Sequence, residues 1–169
     1  GVPILGICYG IHFMVYGLGG IIGKANENAA AEFGRTDCEF DLSCPVFEGL
    51  KEKSVVWMSH NDYIEKLPEG FKAAGHSDKC PFAAIADDER KFYGVQFHPE
   101  VNHTEQGKEM LGNFLYKVCG CKGDWTMSNY AKAEIARIRE KVGNGKVLLA
   151  LSGGVDSSVA CAQIGRASC

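Results

Sequence analysis

Residues 2–10 read Val2-Pro3-Ile4-Leu5-Gly6-Ile7-Cys8-Tyr9-Gly10, an apolar run that ends in two glycines placed around one cysteine. Apolar residues then recur at helical spacing before a glycine pair: Ile11, Phe13, Met14, Val15 and Leu18, ahead of Gly19-Gly20. The pattern predicts a strand, a tight turn at Cys8 and a helix that the glycines end. A strand joined to a helix by so short a turn indicates an α/β fold.

Short β-type segments follow this opening pattern. Residues 32–85 hold several of them, separated by turn residues such as Asn61-Asp62. Residues 82–86 and 91–97 predict a β-hairpin, whose second strand stops before Pro99 because proline cannot donate to a sheet.

Two helices and one strand are predicted in the C-terminal part of the chain. Residues 104–118 place apolar side chains on one helical face, with Thr104 available as the N-cap. Residues 128–142 predict a second helix, which Gly143-Asn144-Gly145 stops. Residues 146–151 have the composition of a buried strand, and a glycine- and serine-rich loop and a further helix follow it.

These elements predict two domains, residues 1–121 and residues 122–169, with the boundary between Cys121 and Trp125. The second domain has too few residues to complete a sheet. Because the chain also begins with glycine rather than methionine, we expect it to be an internal piece of a longer protein.

The charge balance excludes several classes of partner. The chain has 18 Lys+Arg against 21 Asp+Glu and a net charge of -3, so it supplies no basic patch for nucleic acid or an anionic membrane. The first 23 residues lack Lys, Arg, Asp and Glu, yet no basic segment precedes Lys24 and glycines interrupt the stretch. We therefore expect neither a signal peptide nor a membrane helix there.

Eight cysteines raise the question of a disulfide scaffold or a zinc site. Their only close pair, Cys119 and Cys121, is separated by one residue, whereas paired zinc ligands usually have two to four residues between them. The sequence therefore favours free thiols in a reducing cytoplasm.

The spacing Gly6-x-Cys8-x-Gly10 is that of a nucleophile elbow, a sharp strand-to-helix turn that holds a nucleophile out of the backbone. Glycines on both sides would relieve crowding in such a turn. The helix N-terminus should lower the pKa of the Cys8 thiol, and the N–H of Tyr9 would face a developing oxyanion. The alternative is that Cys8 is a small buried residue in a glycine-rich turn.

A cysteine nucleophile needs a base, and the base needs an acceptor that orients it. The segment His98-Pro99-Glu100 offers both, because residues two apart in an extended chain lie on the same side. His98 would take the thiol proton and Glu100 would fix the tautomer. The alternative is a structural salt link at the end of a strand.

A second candidate site lies in the loop after residues 146–151. Consecutive N–H groups and hydroxyls around two glycines suit a phosphate at a helix N-terminus. A Walker A loop would need a lysine where Asp156 stands, and this carboxylate could instead ligate Mg²⁺. The alternative is a glycine turn with capping side chains. The residues of the loop are Ser152, Gly153, Gly154, Val155, Asp156, Ser157 and Ser158.

Two families are recognisable in these motifs. Residues 6–10 together with residues 94–101 resemble the class I (triad) glutamine amidotransferases, and residues 152–158 resemble the pyrophosphate loop of the N-type ATP pyrophosphatases. With matching segments at 57–60 and 101–107, the chain is similar to the two-domain amidotransferases that convert xanthosine monophosphate (XMP) to GMP. The resemblance implies an α/β, flavodoxin-like, three-layer glutaminase domain that lacks its N-terminal strands. The truncated start of an adenine-nucleotide α-hydrolase-like α/β domain would follow it.

The resemblance also implies a reaction. Cys8 would form a thioester with glutamine and release ammonia, with His98 as base and then acid and Glu100 as its orienter. ATP, bound at the loop with Mg²⁺ at Asp156, would adenylylate XMP, and ammonia would displace AMP to leave GMP. The full-length enzyme would be a cytoplasmic homodimer joined through a region absent here. Residues expected to bind glutamine are His12, Ser59 and His60.

The sequence departs from the family pattern in places. His12 stands where the family usually has glutamine, and Asn61 where it usually has glycine. The family's second oxyanion donor belongs to a loop that would precede Gly1. We therefore expect residues 1–169 alone to hydrolyse glutamine poorly, with their first strand at a sheet edge.

Two competing functions are a glutaminase subunit of another amidotransferase, as in folate, tryptophan or pyrimidine synthesis, and a degenerate glutaminase-like binding module.

Overall fold

The computed structural model of the chain describes residues 1–24 and 31–168, and these form two compact units that divide after Cys121. The strands of the first unit are β1 (Ile4–Ile7), β2 (Ile21–Lys24), β3 (Glu32–Phe40), β4 (Lys53–His60), β5 (Asp62–Lys66), β6 (Lys72–His76), β7 (Ala84–Asp87) and β8 (Phe92–Val95). Its helices are α1 (Tyr9–Gly17) and α2 (Gly107–Asn113), and a π-helical turn (Phe114–Val118) continues α2. The second unit contains α3 (Met127–Val142) and α4 (Val155–Ser168).

Six strands of the first unit form a mixed sheet in the order β1-β8-β7-β6-β3-β4, and β2 pairs with β5 in a separate ribbon. β1 runs parallel to β8, with Ile7 opposite Val95, and the other neighbours in the sheet are antiparallel. The predicted strand, turn and helix at the start of the chain and the predicted hairpin, β7–β8, are confirmed. β1 lies at one edge of the sheet, as expected.

The sheet is covered on both faces, which makes the first unit three-layered. All four residues of β7 are buried, and because strand side chains alternate, Ala84 and Ala86 enter one core while Ile85 enters the other. The core around Ile85 includes side chains of α1 and β5. The opposite core includes Met110 of α2. An α/β fold of the expected class therefore positions α1 and α2 on opposite faces.

The start of α2 differs from the prediction. Gln106 occupies the N-cap position of α2 without a side-chain cap, so the assignment of Thr104 as N-cap is wrong. The Thr104 hydroxyl instead donates to the carbonyl of His98 at 2.6 Å and accepts from the N–H of Trp57 at 3.1 Å. The backbone of His98 and that of Trp57 in β4 thus use the hydroxyl that the local pattern assigned to the helix.

The second unit confirms two predicted helices and corrects one predicted strand. Thr126 caps α3 by accepting the N–H of Asn129 at 3.1 Å, and Gly143 ends α3 with a φ of 51°. Residues 146–151 form no strand, and Leu148 is 99% exposed. The described residues of this unit contain no strand with which residues 146–151 could pair, and a strand without a hydrogen-bonding neighbour is not stable in water. No helix among the described residues is both long and apolar enough to cross a bilayer.

Candidate active site

Cys8 forms the turn between β1 and α1. Its φ of 50° and ψ of -108° are rare for a residue with a side chain and are typical of functional sites. Its N–H donates to the carbonyl of Val95 at 2.9 Å, which ties the turn to β8. Its thiol donates to the carbonyl of Ser59 at 3.7 Å. The strained turn thus presents a cysteine thiol at the N-terminus of a helix.

The two glycines of the motif have different roles. A Cβ at Gly6 would lie 2.8 Å from the carbonyl carbon and oxygen of Gly10 and 2.9 Å from the nitrogen of Ile11. A Cβ at Gly10 would meet nothing within 4 Å. The prediction that both glycines relieve crowding is therefore correct only for Gly6, which lets the first turn of α1 pack directly on β1.

His98 and Glu100 form the predicted pair. Nδ1 of His98 lies 2.7 Å from Oε1 of Glu100. Because the carboxylate accepts, Nδ1 carries the proton and Nε2 is left as the basic nitrogen. The pair follows β8, and Cys8 follows the neighbouring parallel strand β1. Both therefore lie at the carboxyl ends of these two strands.

The backbone of His98 is held on both sides. Its N–H donates to the carbonyl of Trp57 at 3.0 Å, and its carbonyl accepts the Thr104 hydroxyl described above. A Cβ at Gly107 would clash with the carbonyl of Pro99, so α2 packs directly on this segment. Trp57, Thr104 and Gly107 are positioning residues.

β4 reaches the site although it lies at the opposite end of the strand order from β1. Cys8 bonds to Ser59 and His98 bonds to Trp57, and both acceptors are carbonyls of β4. The end of β4 therefore lies against both the Cys8 turn and the His98 segment. No local sequence pattern carries this information.

The acidity of Cys8 differs from the expectation. Burial raises the pKa of the Cys8 thiol, the backbone N–H of Tyr9 lowers it, and the Glu100 carboxylate raises it. The predicted lowering of the pKa is wrong for the free protein, because desolvation outweighs the favourable N–H. The thiol is therefore protonated near neutral pH and needs a base to become nucleophilic. The effect of Tyr9 also places its N–H towards the sulfur, where an oxyanion donor would lie.

Glu100→Gln should lower the pKa of Cys8 and at the same time slow glutamine hydrolysis. Removing the negative charge takes away one of the causes that raise the thiol pKa, so the alkylation of Cys8 at a fixed neutral pH should become faster. Hydrolysis should fall by about 10²-fold because His98 loses the acceptor that orients it. The pH dependence of iodoacetamide labelling, read by mass spectrometry, gives the first quantity, and glutamate release gives the second.

Glu105→Gln is the matched control for this prediction. Glu105 is an equally exposed carboxylate on the same segment, at 51% against 47% for the Glu100 side chain, and it pairs with Arg35. Its removal should leave both quantities unchanged. A Cys8 pKa that stays the same or rises in Glu100→Gln would contradict the geometry described here.

His12 lies one turn after Cys8 on α1 and is buried. Its Nε2 lies 2.6 Å from Oε1 of Gln96. Burial lowers the pKa of His12, while the hydrogen bond to Gln96 raises it, so the neutral ring donates from Nε2. The ring expected to bind glutamine is thus directed at Gln96, a buried side chain that sequence reasoning did not assign to the site. Its signal is a polar residue directly after β8, two positions before His98.

Ser59 and His60 end β4 but face different groups. Ser59 contributes its carbonyl to Cys8. The His60 ring is buried, and its Nδ1 donates to the carbonyl of Asp62 at 2.9 Å. Its Nε2 faces Glu32 at 3.5 Å. Of the three residues expected to bind glutamine, only Ser59 is in direct contact with the nucleophile.

The loop at residues 152–158 belongs to the second unit and is described by itself. Gly153 has a φ of 83°, which glycine adopts without strain. The hydroxyls of Ser157 and Ser158 donate to the carbonyl of Gly154 at 3.1 Å and 2.8 Å. Asp156 lies in the first turn of α4. The predicted glycine turn at a helix start is therefore present, with its hydroxyls gathered around the first turn.

Comparison with known proteins identifies the first unit. Residues 1–118 match the family described as glutamine amidotransferase class-I. The match covers the elbow, the His98–Glu100 pair and the eight strands described above. The chain belongs to the class-I glutamine amidotransferase family.

Several relatives carry a more specific name than the family does. The chain is 53% identical over 167 residues to "GMP synthase [glutamine-hydrolyzing]" of Acetivibrio thermocellus and 52% identical to that of a Clostridium botulinum strain. These alignments cover 99% of this chain but 32% of each relative, so the chain spans about a third of their length. A solved structure of a candidate GMP synthase subunit from Thermoplasma acidophilum is 35% identical, covers 78% of this chain and 60% of its own, and gives a TM-score of 0.64. A glutamine amidotransferase from Thermotoga maritima, at 22% identity, 98% and 62% coverage and a TM-score of 0.53, shows the same fold.

Proposed function

We propose that the first unit hydrolyses glutamine through a thioester on Cys8 and supplies ammonia for GMP synthesis. The observation that carries this proposal is the strained cysteine that follows β1, together with a histidine that follows the neighbouring parallel strand β8 and that a carboxylate orients at 2.7 Å. Family membership supports glutamine as the substrate. The names of the relatives support GMP synthesis as the purpose.

Each residue of the site has a defined role in this reaction. Nε2 of His98 takes the thiol proton, and the sulfur attacks the carboxamide carbon of glutamine. The N–H of Tyr9 stabilises the oxyanion that forms. When the C–N bond breaks, His98 returns the proton to the leaving nitrogen and ammonia departs. Water, deprotonated by His98, then hydrolyses the thioester to glutamate and restores the Cys8 thiol.

In the whole protein, the second unit would contribute the first part of a nucleotide-binding site. A glycine turn with hydroxyls at the N-terminus of a 14-residue helix suits a phosphate group, and the Asp156 carboxylate is the type of ligand that Mg²⁺ prefers. Ser152, Ser157 and Ser158 would hold the pyrophosphate of ATP, and Mg²⁺ would neutralise its charge. ATP would activate the C2 oxygen of XMP, and ammonia would displace AMP. From the same resemblance, we further propose that the whole protein is a cytoplasmic homodimer.

An electrophilic analogue of glutamine should label Cys8 and no other cysteine, and glutamine should protect it. The other cysteines that the structure describes, all free thiols, lack either the helix N-terminus or the base. Burial raises the pKa of Cys44 to about 11 and that of Cys80 to about 12, so these thiols are unreactive. Mass spectrometry after digestion gives the site. Asparagine, one methylene shorter, is the control protectant and should leave the labelling rate unchanged. Preferential labelling of Cys38, Cys44 or Cys80 would overturn the proposal.

A further inference from the structure

Three buried side chains with metal-binding atoms meet outside the glutaminase site. Glu32 begins β3, His60 ends β4, and Cys80 lies in the loop between β6 and β7. Their ligand atoms all lie within 4.8 Å of one another, and each residue is buried. The proposed reaction uses none of the three.

His60 is held in the state that a metal requires. Its Nδ1–H donates to the carbonyl of Asp62 at 2.9 Å, an arrangement typical of histidines that bind metals through the other nitrogen. Nε2 is therefore left as an acceptor. It has no hydrogen-bond partner among the described residues, and the side chain is only 2% exposed. A cation between this buried lone pair and the carboxylate that it faces at 3.5 Å would satisfy both groups.

The other two side chains are also held in place. The Ser77 hydroxyl donates to Glu32 at 2.8 Å, which orients the carboxylate. Ser77 also accepts the N–H of Cys80 at 2.9 Å and donates its own N–H to the Cys80 carbonyl at 2.9 Å. The turn from Ser77 to Cys80 thus holds the backbone of Cys80 and also the hydroxyl that orients Glu32. The three side chains are therefore in place before a metal ion binds.

We propose that Glu32, His60 and Cys80 bind one Zn²⁺ ion. A carboxylate, an imidazole and a thiolate are the donors that Zn²⁺ takes in proteins, with solvent in the fourth position. Tetrahedral Zn²⁺ needs ligand atoms about 3.5 Å apart, so the cluster has to contract slightly. As the Zn–S bond forms, the thiol proton passes to solvent, and two negative ligands balance the charge of the ion. Since Ser59 precedes His60, the ion would also fix the part of β4 that contacts Cys8.

The test is a titration of the metal-free chain with Co²⁺, a coloured substitute for Zn²⁺, in a Cys8→Ala background that removes the thiol of the glutaminase site. We expect one equivalent to bind, with a thiolate-to-Co²⁺ charge-transfer band that Zn²⁺ abolishes. Cys80→Ser should eliminate the band. Cys44→Ser, which changes an equally buried thiol outside the cluster, should retain it. A band absent from the parent chain, or unchanged by Cys80→Ser, would mean that a proton on His60 rather than a metal faces Glu32.

A second variant keeps all three ligands and guards against misfolding of Cys80→Ser. Ser77→Ala removes only the hydroxyl that orients Glu32, and loss of such a partner weakens metal binding by about 10- to 100-fold. Competition of Zn²⁺ with a chromophoric chelator measures this affinity. Affinity equal to that of the parent chain would overturn the assignment of Glu32 as a ligand.

Discussion

Cys8→Ala in a full-length protein that contains this chain should abolish GMP formation from glutamine and leave GMP formation from ammonium salt unchanged. Loss of a catalytic nucleophile lowers turnover by about 10⁴- to 10⁶-fold, whereas added ammonia bypasses the glutaminase site. The thiol is the group that forms the covalent bond in the proposed reaction, and the Glu100 carboxylate holds His98 as its base. Parallel assays with the two nitrogen donors measure the effect.

Two variants serve as controls for this result. Cys44→Ala removes a buried thiol away from the site and should retain both activities per folded molecule. Asp156→Asn should impair both activities, because each needs the nucleotide site. Loss of the ammonia-dependent reaction in a folded Cys8→Ala protein would contradict two separable sites.

Gly6→Ala should destabilise the first unit by about 3 kcal/mol and remove glutamine hydrolysis with it. The added methyl would lie 2.8 Å from backbone atoms of Gly10, which cannot rotate away as a side chain can. Either α1 moves off β1, which displaces Cys8, or the turn unfolds. Urea unfolding followed by circular dichroism measures the stability, and glutamate release measures the activity.

Gly10→Ala is the matched control, because its methyl group would enter open space. Alanine also has a higher helix propensity than glycine by about 1 kcal/mol, so stability should stay equal or rise slightly. Equal destabilisation by the two substitutions would show that the close contact at Gly6 does not decide the packing of the elbow.

The candidate nucleophile and its base could be predicted because their signals are local. The Cys8 turn depends on an apolar run and a glycine within ten residues, and the His98–Glu100 pair depends on the period of an extended chain. The structure contains both the turn and the hydrogen-bonded pair. The acidity of the thiol could not be predicted in the same way. Its pKa depends on burial, and the segments that bury Cys8 come from strands distant in the sequence.

Contacts between distant segments account for the other differences. Thr104 is a residue type that commonly caps helices, yet its hydroxyl bonds to the backbones of His98 and Trp57, and Trp57 belongs to β4, far away in the sequence. Residues 146–151 have the composition of a strand but form none, since a strand needs a neighbour and composition does not supply one.

The sequence by itself thus determined the opening strand, turn and helix, the β7–β8 hairpin and the candidate nucleophile at the turn, because periodicity and glycine positions act over a few residues. Only the tertiary structure decided which remote side chains meet. Glu32, His60 and Cys80 are separated by 28 and 20 positions in the sequence, too far for the spacing rules that recognise zinc ligands. Pairing of β3 with β4 and the turn at Ser77 bring them within 4.8 Å, and no local pattern encodes that distance.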